Sequence, residues 1–371
     1  MLLESFELFD CGPKQATMSR CVSWSANGEH LAFGTNNRQC YIMRVNQDSL
    51  SDVLTISGHK AHVTQSRFHP THASLLCTAA RDHTVRLWDC RGGSQKDIGS
   101  IEIEGGKSAL VVDWCRNSTD AEMSHALVLT DQSSRITVYD TRKLTSVGSP
   151  KGTNPAVLHV AEPSPKEVVE VTIFGPGKGN YLLRASQLYE NDKTSTISVW
   201  DWTKTETMTA DAMNTRGARF PAHVEGIYAM TLSPDGSRLA TGGADAIVGL
   251  WDTKEMLCTH AVAKNRKKYI RAVEFSRDGK ILCHSSEENE VELVDSSNGE
   301  LVGHVNLVQP RRRGGSENVS RQPPPGAGGA ESLAWHPSQP LLACARVDST
   351  QPDDPSPPLI TVAKLNLTRG Q

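Results

Sequence analysis

Residues 75–89 read LLCTAARDHTVRLWD, and residues 239–252 read LATGGADAIVGLWD. In each, a Thr is followed four residues later by an Asp, and six residues after that by Trp-Asp: Thr78, Asp82, Trp88 and Thr241, Asp245, Trp251. A His behind a small residue stands 19 positions before the first Thr and 18 before the second, in Gly58-His59 and Ala222-His223. Active-site residues seldom occur twice in one chain, whereas a structural device does. The matched spacing therefore marks a duplicated structural unit.

Working outward, seven segments share one rhythm: a short apolar strand, a turn rich in Pro, Asp, Asn or Gly, a second strand, a polar turn and a third strand. They fall at about 21–45, 58–90, 109–142, 167–202, 222–258, 269–304 and 331–367. No segment keeps a 3.6-residue apolar period, so helix content should be low. Self-similarity at this spacing, with a Trp-Asp or Tyr-Asp anchor ending the third strand, resembles the WD-repeat propellers. The resemblance implies an all-β, seven-bladed WD40 β-propeller, each blade a four-stranded antiparallel sheet. The seventh segment ends at Leu365-Asn366-Leu367 with no room for an outer strand, and residues 3–9 have strand composition. An N-terminal strand closing the last blade is the expected latch, because an open ring leaves bare sheet edges. Residues 306–330, rich in Pro, Gly and Arg, are expected to be a disordered insert, and 349–358 a long polar turn.

Bulk properties bound the rest. A chain of 371 residues ordinarily suggests two or three domains, but a closed ring of repeats makes one. Hydrophobic residues make up 37% and charged residues 22%, the balance of a globular protein. No apolar run reaches the length of a membrane span, and MLLESFELFD lacks the basic region of a secretory signal. A net charge of -3 disfavours a body built to coat nucleic acid. Nine cysteines form no CxxC pair and no zinc spacing, so no metal or cofactor is expected, and reduced thiols fit cytosol or nucleus.

His59, Thr78, Asp82 and Trp88 read as a chain of hydrogen bonds: indole N–H to Thr hydroxyl, hydroxyl to His, His to the Asp carboxylate in a tight turn. His223, Thr241, Asp245 and Trp251 repeat it. Such a chain satisfies every buried donor and acceptor, and is read as structural rather than catalytic. Blade six has His284, Glu288 and Val294 at the Thr, Asp and Trp positions, blade three has Ser133 and Tyr139, and blade one has Asn37 and Met43. Those blades are expected to rely on apolar packing. No P-loop, GxSxG or unexplained carboxylate pair is present, so no enzyme activity and no small-molecule substrate are expected.

The runs GHKAHVTQSRFHPTHASLLCTAARDHTVRLWDCR, TGGADAIVGLWDTKEMLC, RAVEFSRDGKIL and SLAWHPSQPLLACA resemble the THO complex subunit 3 family, over about two fifths of the chain. That resemblance implies a nuclear, non-enzymatic scaffold of the THO and TREX complexes, coupling transcription with mRNA processing and nuclear mRNA export. The implied partners are large helical THO subunits and, through them, an mRNA-export RNA helicase, with no membrane.

Two surface features are candidates for contact. Lys264, Arg266, Lys267, Lys268 and Arg271 lie between blades five and six, and Arg311, Arg312 and Arg313 between blades six and seven. Together they form either a basic rim for RNA or acidic partner segments, or solvated loop charge; no aromatic run accompanies them for base stacking. Trp88-Asp89-Cys90-Arg91 resembles the adaptor box of substrate receptors of cullin-RING ubiquitin ligases, the alternative function, although an Arg at that point is also ordinary in WD repeats.

Overall fold

The computed structural model describes residues 2–11, 18–46, 49–92, 97–115, 123–144, 157–161, 167–175, 181–188, 194–201, 218–263, 268–307, 329–346 and 360–368. These form seven four-stranded antiparallel sheets. In six of them the strands follow chain order from the axis outward, and blade 5, for example, runs Ile227–Leu232, Arg238–Gly243, Val248–Asp252, Leu257–Val262. The seventh takes its three inner strands, Ala330–Trp335, Leu341–Arg346 and Ile360–Thr368, from the C-terminal end and its outer strand, Leu2–Cys11, from the N-terminal end. That outer strand pairs antiparallel from Leu2 opposite Thr368 to Cys11 opposite Ile360. The protein is thus an all-β, seven-bladed propeller closed by its N-terminal strand. Among the described residues the only helical elements are short 3-10 turns such as Cys90–Gly92.

The blades form where they do because short β-branched and aromatic runs alternate with turns of fixed chemistry. Ser25-Ala26-Asn27-Gly28, Ser233-Pro234-Asp235-Gly236 and Ser276-Arg277-Asp278-Gly279 each join a first strand to a second. In each, the Ser hydroxyl donates to the side chain two residues on, at 2.8, 2.6 and 2.7 Å. Gly28 must be glycine twice over: its φ is +76°, and a Cβ there would lie 2.3 Å from the His336 ring.

The core lies between blades rather than within them. Ala240, Leu250, Ile270, Phe275 and Leu282 are buried together across blades 5 and 6, and Val22, Phe33, Ala343 and Val362 across blades 7 and 1. Each sheet therefore depends on both neighbours for burial, which makes closure of the ring the central requirement. The eight cysteines described in side-chain detail form no disulfide. Burial pushes the Cys344 thiol up to about 12 and the Cys77 thiol well above its ordinary value, so both act as small apolar side chains.

Two sequence expectations change. Counting residues 222 and 223 with blade 5 misplaces them, because Ala218–His223 is the outer strand of blade 4. The 306–330 insert is narrower than expected: Asn306 ends a strand, Leu307 is buried, and Ala330 is buried and opens the next strand. Leu307 and Ala330 pack in the apolar layer between blades 6 and 7, which holds both flanks in place. Residues 308–328, with Arg311, Arg312 and Arg313, and the whole polar turn at 349–358 lie outside the described residues.

Candidate functional site

The two duplicated sets are each brought together. In blade 2 the Trp88 indole N–H donates to the Thr78 hydroxyl at 2.8 Å. Thr78 Oγ1 lies 2.8 Å from His59 Nε2, and His59 Nδ1 lies 3.0 Å from an Asp82 carboxylate oxygen. In blade 5 the corresponding distances are 3.0 Å for Trp251 to Thr241, 2.8 Å for Thr241 to His223 and 2.9 Å for His223 to Asp245. Each carboxylate also accepts a backbone N–H from the residue after its His, Lys60 or Val224. Burial opposes charge on Asp82. The His59 hydrogen bond, the Lys60 N–H, the His59 charge and the Thr84 hydroxyl outweigh it and hold the carboxyl well below its ordinary range. Asp245 is lowered too, with burial again opposing and His223 the main counterweight.

These chains stitch the segment that leads into a blade, the loop at His59 or the strand end at His223, to the blade's second and third strands. A Cβ on Gly249 would meet Trp251 Nε1 at 2.8 Å and Thr241 Oγ1 at 2.9 Å, so in blade 5 the bond chain fills the sheet face completely.

Other blades solve the same positions differently. In blade 1 Asn37 donates to Tyr41 Oη at 2.9 Å, and Phe33 stacks on Tyr41 at 5.6 Å. In blade 4 the Thr position holds Arg184, fully buried, with its guanidinium 5.6 Å from the centre of the Trp200 ring. In blade 3 Ser133 donates its backbone N–H to Asp131 at 2.7 Å, while Tyr139 packs in the apolar layer toward blade 2. Blade 6 departs from the apolar packing expected of it. Val294 stands where blade 5 has its Trp, and Glu292, opposite His284, is buried with a carboxylate oxygen 3.3 Å from His284 Nε2.

The basic rim is largely beyond view, since Lys264, Arg266 and Lys267 lie outside the described residues. Lys268 is partly buried at the end of that loop. Arg271 is not a loop residue: it is the second residue of the strand Ile270–Phe275. Ile270 starts that strand by seating against Gly242 of the neighbouring blade, and alternation then turns Arg271 the other way. Its guanidinium pairs with Glu287 and lies 5.3 and 5.7 Å from the ring centres of Tyr228 and Tyr269. Both tyrosines stay about two fifths exposed, at 41% and 40%, with ring centres 5.7 Å apart. Tyr228, Arg271, Arg20 and Glu331 line a cavity of about 210 Å³. A second cavity of about 530 Å³ shares Arg67, Asp113, Glu274 and Leu333 with it, so the first strands of several blades enclose both. Sequence reading found Arg271 only as a charge; the tyrosines are 41 residues apart and gave no local signal.

The adaptor-box residues take a local role. Asp89 accepts both the backbone N–H and the guanidinium of Arg91, the latter in a two-pronged pair, Nε to Oδ1 at 3.0 Å and Nη2 to Oδ2 at 2.5 Å. Asp140 and Arg142 repeat the arrangement. In both places the pair begins a 3-10 turn after a third strand.

A second repeated device, at Phe68-His69-Pro70 and Trp335-His336-Pro337, escaped sequence reading. His69 sits edge-on to Trp114 of the next blade at 4.6 Å, and Trp114 donates its indole N–H to the Arg67 carbonyl at 3.0 Å. His69 Nε2–H donates to the Ser124 carbonyl at 3.0 Å, and Nδ1 accepts the backbone N–H groups of Thr71 and His72.

Comparison with known proteins agrees with this geometry. The repeat described as WD domain, G-beta repeat matches residues 50–89 and 214–252, and the anaphase-promoting complex subunit 4 WD40 domain matches 258–312. The chain is 25% identical to THO complex subunit 3 of Arabidopsis thaliana, over 88% of this chain and 86% of that protein. It is 24% identical to WD repeat-containing protein AAC3 of Dictyostelium discoideum, over 91% of this chain and 63% of that protein. With the target of rapamycin complex subunit wat1 of Schizosaccharomyces pombe it shares 27% identity over 57% of each. Both matches to the WD repeat enclose a complete His–Thr–Asp–Trp bond chain, and the chain is a seven-bladed β-propeller that carries WD repeats.

Proposed function

We propose that this propeller is a non-enzymatic scaffold subunit of a THO-type nuclear assembly that couples transcription with mRNA processing and export. The similarity to THO complex subunit 3 along most of both chains supports the assembly. The observation that carries a docking role is the cluster of Tyr228, Arg271 and Tyr269 at the channel-side ends of blades 5 and 6. Tyr and Arg supply large contact area at low ordering cost, and here the Arg is already held in place by Glu287. The repeat polar groups, by contrast, are consumed inside their blades.

The partners on this reading are large helical subunits, and through them an RNA helicase. Affinity purification of the full chain from nuclear extract, followed by mass spectrometry, tests it. Wild type should recover such subunits, and a Tyr228→Ala/Arg271→Ala/Tyr269→Ala variant should lose them while melting normally. Recovery of a cullin-RING adaptor in their place would overturn the proposal. Neutralising Lys264, Arg266, Lys267, Lys268, Arg311, Arg312 and Arg313 should leave recovery intact if those residues are only solvated loop charge.

A further inference from the structure

We infer that blade 6 carries a divalent transition-metal site, suited to zinc, made by Glu290, Glu292 and His304 and supported by His284. The ladder of the blade creates it. His284, Glu292 and His304 stand directly opposite one another on three successive strands, Ile281–Ser286, Glu290–Asp295 and Leu301–Asn306, and so share one face. Glu290 lies two residues before Glu292 on the same strand, which returns its side chain to that face.

His304 Nδ1 is 3.2 Å from Glu290 Oε1 and 3.5 Å from Glu292 Oε1. One ligand atom from each of the three lies within 4.8 Å of the others. A tetrahedral ion with bonds of roughly 2.0–2.1 Å holds neighbouring ligand atoms roughly 3.4 Å apart, so the two distances from His304 are already those of a coordination sphere. The set is one imidazole and two carboxylates, leaving a fourth position toward solvent, where His304 is 43% exposed.

Glu292 is the residue that points to a ligand rather than a chance ion pair. It is buried, and its other oxygen is 3.3 Å from Nε2 of the equally buried His284. A carboxylate fixed from behind by a histidine and turning its second oxygen toward a His–Glu pair has the form of an oriented metal ligand. The blade has room for it because Val294 replaces the Trp of blade 5 and Glu292 replaces Gly249. Sequence spacing could not show it, since His304 is brought to Glu292 only by strand pairing across the turn Ser296–Gly299.

The test uses the full chain, stripped with EDTA and titrated with zinc chloride against a chromophoric zinc indicator. Cobalt(II) absorption and melting temperature are followed in parallel. One zinc per chain is expected, with a rise in melting temperature and an intense visible cobalt band. Glu290→Gln and His304→Gln, both at part-exposed positions, should each weaken zinc binding at least tenfold and abolish the cobalt band. Their metal-free melting temperatures serve as the control for folding, and Glu292 is left untouched. His72 and His125 form another cluster with His69, so a His72→Gln/His125→Gln variant is compared. No saturable binding, binding unaffected by His304→Gln, or binding lost only in the His72/His125 variant would each overturn the assignment.

Discussion

His336 meets Trp24 edge to face across the join between the last blade and the first, with ring centroids 4.7 Å apart and planes at 69°. The Trp24 indole N–H donates to the Ala334 carbonyl at 3.0 Å, and His336 Nε2–H donates to the Gly28 carbonyl at 3.1 Å. His336 Nδ1 accepts the backbone N–H groups of Ser338 and Gln339. Every one of these bonds has its counterpart in the His69–Trp114 join of blades 2 and 3. The closing seam is therefore held at two radii: by the Leu2–Cys11 strand outside and by this ring pair nearer the axis.

Replacing Trp24 by Phe removes the donor to a buried carbonyl and part of the ring volume. A cost of about 1–3 kcal/mol is expected. It should appear as a lower denaturation midpoint, with coupling to a His336→Ala change in a double-mutant cycle. Strict additivity of the two changes would contradict the pairing.

Acid should loosen these joins. Burial pulls the His69 imidazole down to about 4 from an ordinary 6.5, with the charges of His72 and His125 adding to it against the Ser124 carbonyl bond. His336 is lowered in the same direction by burial. With the folded value below the unfolded one, the unfolded chain takes up the proton first. The stabilising effect of each is then complete above pH 6.5 and lost as pH falls through its folded value, about 4 for His69. The melting temperature should drop across that window, and drop less in a His69→Gln/His336→Gln variant. Superimposable curves for the two proteins would be inconsistent with this.

The blade networks respond at lower pH. Asp82 and Asp245 are held below the ordinary carboxylate value, so the stability they contribute is present above about pH 4 and is lost as pH falls through their folded values. At neutral pH, Asp245→Ala leaves His223 Nδ1 without its carboxylate partner, and should cost about 1–3 kcal/mol. An unchanged melting temperature would show that the bond chain carries no stability.

Removing residues 1–11 bares the Ile360–Thr368 strand along its whole outer edge. Such an edge invites pairing with another chain. Light scattering should show oligomers, a lower melting temperature should accompany them, and a peptide of sequence LLESFELFDC added in trans should reverse both. A truncated chain that stays monomeric and melts as wild type would mean the latch is dispensable.

Much of this architecture was readable in advance because it is local or periodic. Thr78, Asp82 and Trp88 lie within eleven residues, a spacing set by one hairpin, and each partner's position follows from the strand period. The loop-borne His59 could be added because its distance from Thr78 recurs almost unchanged at His223 and Thr241. Arg271 went astray for the opposite reason. A run of basic residues looks alike in a loop and at a strand start, and only the packing of Ile270 against Gly242 decides where the strand begins.

From the order of residues came the seven repeated segments, the need for a closing strand and the spacing of the two internal bond chains, which follow from hairpin periodicity and turn chemistry, and the propeller class, which follows from the resemblance to WD repeats. The three-dimensional structure alone decided what meets across blades and across strands: Trp24 on His336, Tyr228 and Tyr269 around Arg271, and His304 beside Glu290 and Glu292 across one hairpin of blade 6. Those contacts depend on strand register and on the angle between neighbouring sheets, which are set when apolar layers such as Leu250, Ile270 and Phe275 pack together, and no spacing along the chain records that geometry.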